Sequence, residues 1–88
     1  MKLKQKLNDY IQHEIDCLVD KYDAFLSEGT RHSTISLIEY QIACYVRLMA
    51  VVKADNFVPN IFGYLDLVKQ AKGLDIPFNF EAWLLNNK

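Results

Sequence analysis

Two long stretches of helical periodicity, joined by a link long enough only to reverse the chain, constrain this sequence more than any other feature. From about Lys2 to Glu28, Leu7, Ile11, Leu18, Tyr22 and Phe25 recur at spacings of three, four or seven. At about 100° per residue they share one stripe, which Leu3, Ile15 and Leu26 widen. Gly29 follows as the expected left-handed stop. After Gly29-Thr30-Arg31-His32, a second helix runs from about Thr34 to Ala54, with Ser33 or Thr34 as its cap. Its broad apolar face carries Ile35, Ile38, Ile42, Tyr45, Val46, Met49 and Val52. A second flank carries Leu37, Tyr40, Cys44, Leu48 and Val51. A helix apolar nearly all round is central in its assembly. The short link forces the two helices antiparallel.

The remaining chain reads as two shorter helices. One starts near Pro59, where proline suits a first turn, and presents Ile61, Tyr64, Leu65, Val68 and Ala71 before ending at Gly73. After the loop 74–78, Asn79 is placed to cap a last helix from Phe80 to about Asn86, presenting Phe80, Trp83 and Leu84. Three glycines and two prolines are too few for a many-turned small β-barrel, and 88 residues hold one core. The expected fold is all-α and a single domain over 1–88. It is an antiparallel hairpin of two long helices with two short C-terminal helices packed across it, a small helical bundle.

The hairpin also predicts a register. With the loop centred near positions 30 and 31, residues whose numbers sum to about 61 share a level. Cys17 then lies level with Cys44, each expected as a separate small core side chain. Glu14 lies level with Arg47, and an ion pair between them would explain a carboxylate at the edge of an apolar stripe.

Several function classes are set aside by composition. Ten basic against eleven acidic residues, a net charge of −1, lack the electrostatic footprint of a nucleic-acid binder, so no direct DNA binding is expected. The basic start runs into Asn8 and Asp9 instead of an apolar stretch, so no signal peptide is expected. The most apolar window, Ile35 to Val52, contains Glu39, Gln41 and Arg47, so no membrane span is expected. Two cysteines are too few for a disulfide scaffold, and a cytoplasmic location is the expectation. No G-x-S-x-G, H-E-x-x-H or phosphate loop occurs, so no catalytic residue and no cofactor is assigned. His13 beside Asp9 and Asp16 has ligand-like helical spacing, but one histidine lacks the density of a metal site.

Four groups of residues are candidates for binding. Asp9, Asp16, Asp20 and Asp23 fall within about 60° of arc on the outer face of the first helix, an acidic stripe that a basic partner surface would fit. Thr30, Arg31, His32, Ser33 and Thr34 open the second helix, where free N–H groups and a guanidinium suit a phosphate or other anion. Ser36, Ala43 and Ala50, with Arg47 and Ala54, form a narrow strip of mostly small residues on the second helix, a place for another helix to approach. Phe57, Val58, Phe62, Leu67, Trp83 and Leu85 exceed what a thin two-helix core covers, and Phe62, Leu67 and Trp83 are the chosen partner-binding candidates.

The reading is a non-enzymatic protein-interaction module, a small regulatory or inhibitory protein that binds its partner through apolar helical surface or the acidic stripe, and a homodimer. The alternative is a small-ligand or nucleotide binder using the Arg31 helix terminus. In type, the size and helical pattern resemble small phage or mobile-element inhibitors and bacterial immunity proteins. That likeness implies action by binding; no motif carries it.

Overall fold

The computed structural model describes residues 3–86. It is all-helical, with no strand among the described residues: α1 (Leu3–Glu28), α2 (His32–Lys53), α3 (Ile61–Gly73) and α4 (Phe80–Asn86). α1 and α2 form the antiparallel hairpin, α3 packs on α2 and α4 on α1.

Backbone chemistry sets the helix ends. At the end of α1, the Thr30 N–H donates to the Phe25 carbonyl and the Gly29 N–H to the Leu26 carbonyl, at 3.0 and 3.3 Å. This pair of bonds needs a left-handed residue between them, and Gly29 supplies it at φ 71°. The turn is tight enough that α2 begins at His32, not Thr34. Its cap is Arg31, whose carbonyl accepts from Thr34 and Ile35; Ser33 and Thr34 lie inside the first turn, and no side chain caps.

α3 begins at Ile61, not at Pro59, because Asn60 takes the capping role. Its Oδ1 accepts from the Phe62 and Gly63 N–H groups at 2.9 and 3.2 Å. Gly73 ends α3 as its last helical residue, although it is not the left-handed residue of the turn. The same pair of reverse bonds forms two residues later, Ile76 N–H to Ala71 carbonyl and Asp75 N–H to Lys72 carbonyl, and Asp75 takes the left-handed position at φ 58°. Asp tolerates that region better than most residues. The apolar partner after the turn, Ile76, is buried next to Ala71 in the core.

The core lies towards the open end of the hairpin. Leu7, Tyr10 and Ile11 of α1 meet Cys44, Tyr45, Leu48, Met49 and Val52 of α2, Leu67 and Ala71 of α3, and then Ile76 and Phe80. Three tyrosine hydroxyls fasten the connection between α3 and α4. Tyr40 donates to the Leu74 carbonyl at 2.8 Å, Tyr45 donates to the Pro77 carbonyl, and Tyr10 accepts from the Asn79 N–H at 2.6 Å. Tyr10 lies outside the stripe read from α1, yet it is fully buried. It has Phe78 and Phe80 edge-on, with ring centroids 5.2 and 5.8 Å away. An amphipathic ring with a paired hydroxyl suits this junction, where apolar packing meets turn backbone.

The register is visible in the bond from the Tyr22 hydroxyl to Glu39 Oε2, 3.4 Å, between residues whose numbers sum to 61. Glu14 and Arg47 nevertheless make no ion pair. Arg47 sits on the flank of α2 turned towards the end of α3, beside Gln70, Gly73 and Leu74, while Glu14 faces Tyr10 and Tyr45. Equal level is not equal direction. The cysteines divide in the same way: Cys44 is buried, whereas Cys17 is exposed, its Sγ 3.7 Å from His13 Nε2.

Candidate interaction surface

α3 is apolar over a wide arc, so its facing is decided by its anchors. Leu67 and Ala71 enter the core, with Tyr64 and Val68 half-buried beside them. Leu67, expected as a partner-binding residue, is 0% exposed and is instead the principal anchor of the helix. The stripe therefore runs through Tyr64, Leu67, Val68 and Ala71. Ile61 and Leu65, expected on the inner face, point outwards with Phe62, which is 75% exposed, and with Val58 just before the helix. These four side chains form an apolar ridge.

Gly63 holds the ridge together. A Cβ there would lie 1.9 Å from the Val58 carbonyl oxygen, so only glycine lets the 58–60 turn close against the helix. On one side of the ridge a groove of about 330 Å³ lies among Val51, Phe57, Val58, Phe62 and Asp66. On the other, about 230 Å³ opens between Leu3, Ile61, Tyr64, Phe80 and Glu81.

The other candidates are placed as follows. Trp83 is half-buried and points inwards, stacked on Phe80 with centroids 6.2 Å apart and 5.8 Å from the ring of Tyr10. It pins α4 to α1 instead of lining the outer surface. Asp9, Asp16, Asp20 and Asp23 are all exposed along α1, and Asp16 accepts from Gln12 Nε2 at 2.9 Å. Arg31, His32 and Ser33 are exposed at the start of α2, with Thr30 and Thr34 half-buried. Ser36, Ala43, Arg47 and Ala50 are exposed and Ala54 half-buried; Arg47 and Ala50 border the end of α3. Among the described residues no three His, Cys, Asp or Glu side chains gather as a metal cluster.

The titration behaviour reflects construction. Burial pushes the Tyr10 hydroxyl up to about 12 and raises Tyr45 as well. Tyr64 is raised by burial and by neighbouring Glu81, to which it donates at 3.3 Å. By length and composition alone α2 could cross a membrane; here it lies between α1 and α3 and carries Glu39 and Arg47.

The ridge as a whole was not visible in the sequence, although Phe62 was among the candidates. The signal that could have found it is Asn60: taken as the cap, it sets the start of α3. Comparison with known proteins returns no matching family, no matching relative and no matching solved structure.

Proposed function

We propose that this chain is a non-enzymatic protein-binding module that engages its partner through the outer ridge of α3. The observation that carries the reading is Phe62, 75% exposed amid Val58, Ile61 and Leu65, all more than half exposed. Single exposed apolar residues are ordinary; a contiguous ridge bordered by grooves is what an interface core presents. A central aromatic is a common energetic anchor of such interfaces. The acidic stripe of α1 is second choice, because charge on the outer face of an amphipathic helix is explained by solubility alone.

The experiment is site-specific photo-crosslinking in the cells that encode the chain, with a photoreactive phenylalanine analogue at Phe62. The reading expects a discrete protein adduct that is lost when Leu65→Asp is added and that does not form from a probe at Asp20. A probe at Phe62 yielding no protein adduct, or the same adducts as the probe at Asp20, would overturn it.

A further inference from the structure

The C-terminal segment covers one face of the hairpin and leaves the other bare. It touches Tyr10 and His13 on α1, and Tyr40, Tyr45 and Leu48 on α2. Helical spacing puts Val19 and Leu26 on the opposite flank of α1, with Ile15 half-buried against the core at its edge, and Val46 on the opposite flank of α2, with Ile42 half-buried beside it. The Tyr22–Glu39 bond lies on that side too. Val19, Leu26 and Val46 are 40, 52 and 52% exposed.

We infer that a second copy of this chain covers this face, the two hairpins lying back to back and antiparallel about a two-fold axis that crosses at the level of Val46 and Ile15.

The area fits one copy. The accessible surface is 6052 Å² for 10.2 kDa, where a compact monomer of that mass exposes about 5300 Å². The excess of roughly 700 Å² is shared by this face and the α3 ridge, and is of the order of the ~800 Å² that each partner contributes to a standard interface. The shape agrees: the Cα radius of gyration is 14.0 Å, against about 12 Å for a compact domain of this length.

Charge selects the orientation. Glu39, Val46 and Lys53 follow one another at intervals of seven on the same flank of α2. An antiparallel two-fold through Val46 therefore sets Val46 against its own copy and Glu39 against the partner copy's lysine at 53, twice. Ile15, level with Val46 in the register, meets its own copy on α1. A parallel arrangement would instead bring both Glu39 carboxylates to one level and both Lys53 ammonium groups to another, without the cross-pairing. Ala43, small and exposed, borders the contact and lets the two α2 helices approach closely. The α3 ridges remain outside on both copies, so this contact is separate from the one proposed above.

Sedimentation equilibrium of the full chain between 1 and 100 µM tests the inference. The expected result is a particle near 20 kDa that Val46→Asp reduces to near 10 kDa with its helical circular dichroism unchanged. Glu39→Lys and Lys53→Glu should each weaken the dimer at least tenfold, and the two together should restore it. Should Val46→Asp fail to fold, Val46→Cys with Cys17→Ser replaces it: oxidation should give a disulfide-linked dimer. A wild type near 10 kDa throughout, a dimer split by Phe62→Asp but not by Val46→Asp, no cross-link at Val46→Cys, or no rescue by the charge swap would each overturn it.

Discussion

Replacing Gly63 with alanine tests whether the 58–63 turn, and with it the ridge, is built as described. The added Cβ would stand 1.9 Å from the Val58 carbonyl oxygen and 3.0 Å from its carbon. Both are backbone atoms with no rotamer to escape into. Ordinary contact needs roughly 1.5 Å more, so the turn must open away from α3. That displacement also strains the Asn60 N–H bond to the same oxygen, 2.9 Å. Overpacking of this kind costs about 3 kcal/mol. Alanine returns about 1 kcal/mol through helix propensity. The net is a loss of about 2 kcal/mol, and for a domain of this size a melting point lowered by about 8–16 °C. Gly73 is the internal control. It is also helical, but nothing lies within 4 Å of its Cβ position, so Gly73→Ala should stabilise by about 0.5–1 kcal/mol. Thermal unfolding followed by circular dichroism at 222 nm reads both. If Gly63→Ala melted at or above the wild type, the close approach of Val58 to α3 would be refuted, and the ridge with it.

Other perturbations follow from the same construction. Leu67→Ala removes the fully buried anchor of α3 and should cost about 2–5 kcal/mol by urea unfolding; a surface-like effect below about 0.5 kcal/mol would mean that α3 is turned otherwise. Asn60→Ala should cost about 1 kcal/mol, since two N–H groups lose their acceptor. Alkali should destabilise the fold: the folded pKa of Tyr10 is raised to about 12 from 10.0, so the stability it confers is complete below pH 10 and is lost as pH rises towards 12. Melting points measured from pH 8 to 12 should fall over that window, and less steeply in Tyr10→Phe than in the wild type.

The hairpin was legible because its signal is long. Two segments of more than twenty residues with one period leave little choice of element, and the Tyr22–Glu39 bond reflects the register of a short link. α4 was legible from Asn79 onwards. α3 was legible as an element, but its facing was not, for a physical reason: Ile61, Phe62, Tyr64, Leu65, Leu67 and Val68 spread over about 220° of the helix, so periodicity does not say which part of that arc is inner. Tertiary anchoring decided it, through Leu67 and Ala71. The end of α3 at Gly73 was legible; the left-handed residue of the turn was not, because its bonds form two residues on, around Asp75. Arg47 and Cys17 show that level along a hairpin carries no information on direction around each helix. The tyrosine fastenings escaped a reading that counts tyrosine as apolar, although the hydroxyls of Tyr10, Tyr40 and Tyr45 hold the segment between α3 and α4.

In the proposed function the α3 ridge is a binding surface and not part of the supporting core. Calorimetric titration of the partner captured at Phe62 against wild type and Phe62→Ala tests it most directly, with melting points measured alongside. The expected result is an affinity loss of tenfold or more, as for a central aromatic anchor, with a melting point within about 2 °C of the wild type because the ring is 75% exposed. An unchanged affinity, or a loss of binding matched by a loss of fold, would contradict it.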